Sequence, residues 1–174
     1  MKKIVLCVLV AVTCSLSLHA QLALAKVVGK NADNYKLGYG LFSYYDIPLN
    51  DIGNQSARIE ILDVAYFPSK TQEVPSKGYV SIKLGYKNIF SETKTGFYLE
   101  PQVGYCRVAD GDGNYGDGVA AAAEVGYSLE VGQNGHTFNF GVKYETDRAG
   151  KENTMSSVDF RFSFSFNLFR QRED

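Results

Sequence analysis

The residues able to do chemistry fall on strand-like stretches at every second position. Lys83, Glu100, Glu124, Lys143 and Arg161 all sit in alternating patterns, as in "VSIKLGY" (80–86) and "VDFRFSFSF" (158–166). Lys87, Glu130, Glu145 and Asp159 share their phase. Charges held on one face of a sheet, away from bulk water, need partners. In a closed barrel they meet across the bore. The set then reads as a narrow ion-conducting path or as an ion-paired plug that holds the barrel shut. The plug is the expected form in a small barrel, whose interior just accommodates side chains.

Other candidates are weaker. "DGDGNYGD" (110–117) places Asp110, Asp112, Asn114 and Asp117 on one stretch, with oxygen donors spaced as in calcium loops. Glycine falls at the seventh position instead of the sixth, and Ala121 stands where a twelfth-position Glu is needed. A solvated loop is the expected reading, with calcium the lesser one. His136 follows a short "QNG" turn and has no nucleophile or carboxylate beside it in sequence, so no catalytic role is expected. Cys106 reads as a small filler on the polar face. No cofactor is implied. A net charge of −1 gives no basic field for nucleic acid.

The elements that position these groups are strands. In "SVDFRFSFSFNLF" (157–169), Val158, Phe160, Phe162, Phe164, Phe166 and Leu168 share one face, and Asp159, Arg161, Ser163, Ser165 and Asn167 the other. A period of two is the strand repeat. The same alternation starts near Tyr35, Ala57, Val80, Phe97, Val119 and Phe138. "ARIEILDVAY" changes phase at Ile61–Leu62, which a one-residue bulge would repair. "GVAAAAEVGYSLEVG" is rich in alanine, yet it alternates strictly from Val119 to Val131 and is read as a strand. Pro101 predicts a bulge or a strand end.

These are seven strands, and Leu22–Val28 is a candidate eighth. Connections are expected at 29–34, 47–55, 69–76, 91–94, 109–117, 133–135 and 148–155. From the third onward they alternate long and short, as in an up-and-down membrane barrel. Only 47–55 is long where a short turn is expected.

The chain begins "MKKIVLCVLVAVTCSLSLHAQLALAK", with Lys2 and Lys3 before an apolar run and small residues after it. This is the grammar of an export signal. Cleavage after Ala20 is preferred, although Ala23-Leu24-Ala25 is the better small-x-small match. Residues 1–20 are then the signal and 21–174 the barrel domain, with a cut after 25 as the alternative. Losing Lys2 and Lys3 from 18 basic residues leaves 16 against 19 acidic, a net charge of −3. Cys7 and Cys14 leave too, so the chain is not a disulfide scaffold.

Which face points inward follows from volume. The polar face carries Gly85, Gly104, Ala120, Ala122, Gly126, Gly141 and Ser163, small residues suited to a crowded bore. The apolar face carries Tyr86, Phe97, Tyr105, Tyr127, Phe138, Tyr144, Phe160, Phe162, Phe164 and Phe166, which would overfill one. Outside, these rings form girdles around an aliphatic band of Leu84, Val103, Ala121 and Ala123, the arrangement of a barrel in lipid. The expected fold class is all-β: an eight-stranded antiparallel up-and-down transmembrane β-barrel.

With these features in place, the chain resembles small outer-membrane β-barrel proteins of the OmpA-barrel and OmpX type, including the "porin family" barrels of Gram-negative bacteria. The carriers are the export signal, "FYLEPQVGY" at 97–105, Gly-Tyr pairs at 38–39, 85–86, 104–105 and 126–127, and the final aromatic strand. "RQRED" follows Phe169, where many such barrels stop on an aromatic residue. The resemblance implies residence in the outer membrane, contact with its lipid, and insertion by the barrel-assembly machinery. It also implies a structural or surface-interaction role without enzymatic activity. Two other readings stay open: a small water or ion channel, and a soluble secreted barrel of lipocalin type with its oil inside.

Overall fold

The computed structural model describes residues 19–30, 32–131, 136–150 and 153–165. Eight strands follow one another: β1 (His19–Val28), β2 (Gly38–Pro48), β3 (Gln55–Phe67), β4 (Lys77–Ile89), β5 (Gly96–Asp110), β6 (Tyr115–Val131), β7 (His136–Ala149) and β8 (Asn153–Ser165). Each pairs antiparallel with the next, and β1 pairs with β8 to close the barrel. The Leu22–Val28 stretch is therefore a strand, and the fold is the eight-stranded up-and-down barrel expected. The export signal up to residue 18, the "QNG" turn, Phe166, Leu168 and "RQRED" lie outside the described residues.

Two expected long loops are overturned. In place of a loop at 109–117, β5 continues to Asp110, a turn occupies 111–114 and β6 starts at Tyr115. The ladder runs on through Arg107↔Asp117, Val108↔Gly116 and Ala109↔Tyr115. Likewise β7 continues to Ala149 and β8 starts at Asn153, both within the expected loop 148–155. Asp, Asn and Gly read as loop in sequence. Yet a strand that rises clear of lipid can be polar on both faces, so alternation no longer marks it. Gly113 (φ 87°) and Gly150 (φ 74°) supply the left-handed backbone at these tight reversals. One rim, here the first, carries 29–30, 32–37, 68–76, 111–114 and Gly150. The second rim carries 49–54 and 90–95.

The β3 bulge is present. Registers with both neighbours shift, at Ser43/Tyr44 on β2 and between Glu60 and Asp63 on the β4 side. Ile61 is exposed on the outer wall, Leu62 is half-buried, and Asp63 is buried inside. Pro101 sits at neither a bulge nor a strand end. The β4–β5 register is the same at Gly85↔Gln102 and Asn88↔Leu99, and the rungs between are missing. A residue without an N–H interrupts the ladder without shifting it.

Adjacent residues decide which face is inside. Lys83 is 1% exposed and Leu84 is 61% exposed. Arg161 is 3% exposed and Phe160 is 61% exposed. The oil is outside, so the soluble lipocalin-type reading, which needs an apolar interior, is overturned. Near the first rim the bore is filled by an apolar cluster that includes Val27, Phe67, Tyr79, Val108 and Met155. The out-of-phase "GY" at 78–79 is explained by this cluster: Tyr79 points inward against Phe67, with ring centroids 6.2 Å apart.

Candidate functional site

The mid-barrel interior is a continuous network of charges. Lys83 Nζ on β4 lies 2.7 Å from Asp63, 3.0 Å from Glu60 and 2.7 Å from Glu145. Lys143 on β7 pairs with Asp63 and Glu145 and stands 3.4 Å from Asp159. Tyr79 Oη donates to Asp159 (3.3 Å). Glu60 links this group to Arg161, whose guanidinium donates to Glu60 (2.6 Å) and Glu124 (2.9 Å) and lies over the Phe42 ring. Tyr98 donates to Glu124 from the other side.

Toward the second rim Arg58 forms a fork on Asp46, with both bonds at 2.7 Å, reaches Glu100 at 2.8 Å and stacks on Tyr44. Gln102 donates to Glu100. Lys87 Nζ donates to Asn139 Oδ1 (2.7 Å) and lies 4.3 Å from the Tyr98 ring centroid.

All five charges expected in the lumen, Lys83, Glu100, Glu124, Lys143 and Arg161, are buried there. They do not simply pair with one another. Only Arg161–Glu124 is a direct bridge within the set, and the remaining contacts run through Arg58, Glu60, Asp63 and Glu145. Sequence reasoning missed Arg58, Glu60 and Asp63. Their signal was available, because the bulge that restores the apolar phase of β3 also brings these three to the inner face. Asp147, buried beside this network, was missed as well. Glu130, expected inside, is exposed; its backbone N–H donates to Thr95 (2.9 Å) near the second rim. The charged network thus ends before the strand does.

What the arrangement can do follows from this packing. Among the described residues the buried charged side chains are Arg58, Lys83, Lys87, Lys143 and Arg161 against Glu60, Asp63, Glu100, Glu124, Glu145, Asp147 and Asp159. All but Asp147 make ion pairs or hydrogen bonds with one another or with Tyr, Asn and Gln side chains, some between neighbouring strands, as Arg58 with Asp46, and others across the bore, as Lys83 with Glu145. Room for Tyr98 comes from Gly126, its ladder partner on β6, and from Gly141, paired with Gly126 on β7. A Cβ on Gly126 would stand 2.5 Å from both Cζ and Oη of Tyr98.

The other sequence candidates have local roles. Asp110 accepts from the backbone N–H of Asp112 (3.1 Å) and Asn114 (2.9 Å) and from the Asn114 amide (3.2 Å), an Asx turn that closes the hairpin tip. The Asn114 side chain first, and the two backbone donors after it, hold the Asp110 carboxyl below its ordinary range. Asp117 accepts a fork from Arg107 (2.5 and 3.0 Å), and Arg107 also faces the Tyr115 ring. Among the described residues no three acidic, His or Cys side chains converge as metal ligands. His136 packs near Phe164, with ring centroids 6.2 Å apart. Cys106 is a buried free thiol on the inner face.

The aromatic set occupies the outer wall. Tyr86, Phe97, Tyr105, Tyr127, Tyr144, Phe160 and Phe162 are exposed. Phe138 and Phe164 are half-buried against each other, with centroids 4.2 Å apart. Along β5 the outward side chains from Phe97 to Tyr105 are apolar or aromatic, and Arg107 follows. At ~3.4 Å per residue this run measures about 27 Å, or about 21 Å along the axis of a barrel with strands tilted ~40°. That is close to the ~25 Å apolar band of membrane barrels.

No family model matches the chain, and no curated protein matches it. Among solved structures it is similar to Ail, the attachment invasion locus protein of Yersinia pestis, with 13% sequence identity and a TM-score of 0.53, over 86% of this chain and 95% of that one. The likeness is one of fold: a closed, eight-stranded antiparallel barrel.

Proposed function

We propose that this protein is an integral outer-membrane barrel of a Gram-negative bacterium that works as a surface scaffold and conducts no ions. The observation that carries the reading is the inversion of the wall, with Leu84 in the lipid position and Lys83 tied to three carboxylates inside. Bilayer lipid is the solvent for which such an outer face is suited. The first rim, which bears 32–37 and 68–76, faces outward and presents Arg107, Tyr115, Asp117 and Arg148 above the Tyr105–Tyr144 girdle. A surface-interaction role accords with the fold shared with an attachment invasion locus protein. We assign no catalytic role.

The test has two parts. Expressed in a Gram-negative host, the protein stays in alkaline-washed membranes and migrates faster unboiled than boiled. Recovery in the periplasmic supernatant would defeat membrane residence. Reconstituted in planar bilayers it gives no steady conductance. A steady current that changes with Glu100→Gln or Arg161→Met would replace the scaffold reading with the channel.

A further inference from the structure

The position of β1 bears on how the chain is processed, because two possible cleavage sites flank its first half. Ala23-Leu24-Ala25 is the better match to the small-x-small pattern, and a cut there would leave Lys26 first. A cut after Ala20 would leave Gln21 first. The backbone separates the two. The β1–β2 ladder consists of four pairs, Leu22↔Leu41, Ala23↔Gly40, Leu24↔Tyr39 and Ala25↔Gly38. Cleavage after Ala25 removes all four. It also removes seven of the ten pairs between β1 and β8, leaving Lys26↔Val158, Val27↔Ser157 and Val28↔Ser156. The barrel would then open between β2 and β8, exposing two strand edges at membrane depth, where no water can satisfy them. Cleavage after Ala20 keeps all four β2 pairs and eight of the ten β8 pairs.

Side chains point the same way. Ala23 and Ala25 are buried on the inner face, and Ala25 belongs to the apolar cluster that fills the first-rim end of the bore. Leu22 and Leu24 are 59% and 54% exposed on the outer wall. "LALA" (22–25) thus alternates large-outside and small-inside. Its small residues serve the crowded lumen, and their likeness to a cleavage motif follows from that.

We propose that the signal peptidase cuts the Ala20–Gln21 bond and passes over the better-matched site after Ala25, because Gln21–Ala25 is the segment that closes the barrel. The inference rests on residues 1–20 being an export signal, a point separate from the membrane reading itself.

The deciding measurement is the intact mass of the full chain expressed in a Gram-negative host and purified from its membranes. The expected mass is that of Gln21–Asp174, or the same less one ammonia, since an N-terminal glutamine cyclises. A species five residues lighter, beginning at Lys26, would overturn the proposal, as would any other first residue. Uncleaved chain in the cytoplasm would overturn it at the earlier step, the signal itself. A second measurement uses Ala20→Leu, which removes the small residue before the bond and leaves the mature chain unaltered. The expected result is loss of most of the fast-migrating, heat-modifiable form. Unchanged yield of a heat-modifiable barrel that begins at Lys26 would show that Gln21–Ala25 is not needed to close it, and would overturn the proposal.

Discussion

Replacing Arg161 with methionine tests whether the lumen network is a tightly coupled structure. Arg161 donates to Glu60 at 2.6 Å and to Glu124 at 2.9 Å, and its side chain is nearly sealed from solvent. Methionine fills similar volume and still packs on Phe42, so the change mainly removes a cation. Taking one partner from a buried ion pair typically costs about 3–5 kcal/mol, because the other charge stays behind without compensation. Here two carboxylates are left, each with one remaining partner: Lys83 for Glu60 and Tyr98 for Glu124. The loss should therefore fall at the lower end, about 3 kcal/mol. The assay is equilibrium unfolding in urea with the barrel reconstituted in lipid, read from the heat-modifiable band. Adding Glu60→Gln and Glu124→Gln to Arg161→Met should recover most of the loss, since no orphaned charge remains. Arg107→Met is the control: its fork on Asp117 is exposed and solvent-screened, so its midpoint should match wild type. If Arg161→Met unfolds at the wild-type midpoint, or the added substitutions fail to restore stability, the network is not coupled as described.

Two further outcomes follow from the packing. Gly126→Ala places a methyl group against Tyr98 and the Phe140 carbonyl, an overpacking cost of about 1–3 kcal/mol in the same assay, and an unchanged midpoint would mean that Tyr98 moves freely. Cys106 is fully buried, so a maleimide should label the mature protein only after boiling, and labelling of the folded barrel would place the thiol outside the sealed bore.

Much of the fold was legible because lipid and lumen impose opposite demands on successive side chains. From Val119 to Val131 that demand is unbroken, and it outweighed the helix preference of the alanines. Legibility failed where one demand lapses. Above the girdle, Arg107, Tyr115 and Asp117 face water outside, so the strands that carry them looked like loop. At Leu22–Val28 the pattern was present but overlapped with the end of the export signal, which left the strand count at seven or eight. Of the lumen charges, Lys83, Glu100, Glu124, Lys143 and Arg161 were found by phase alone. Arg58, Glu60 and Asp63 lie on the strand whose phase breaks, so no single alternation places all three on one face. Which cation meets which carboxylate was beyond reach, because partners such as Glu60 and Arg161 are set by barrel stagger and not by spacing along the chain.

Stagger is also where the network has its distinctive effect. A slip of one residue between neighbouring strands is opposed by lipid, since it would turn Arg161 outward and Phe160 inward. A slip of two residues keeps every side chain on its proper face, so neither lipid nor alternation resists it. What resists it is pairing across the bore: Lys83 of β4 with Glu145 of β7, Asp63 of β3 with Lys143 of β7, and Glu60 of β3 with Arg161 of β8. These strands share no ladder with each other, so such contacts tie their heights directly, where the backbone does so only through the strands between them. Lys83→Met combined with Glu145→Met removes one tie without leaving an orphan, because Glu60 keeps Arg161 and both Asp63 and Lys143 keep each other. Replacing a buried pair by apolar groups is often neutral or stabilising by about 1–4 kcal/mol, so the double variant should remain folded, whereas Lys83→Met alone should cost about 3–5 kcal/mol. If the tie sets register, amide spectra of the folded double variant in micelles will show more than one set of resonances for β4 and β7. A single set at wild-type positions would mean that the ladders hold register unaided, and that the charges serve only to fill and seal the bore.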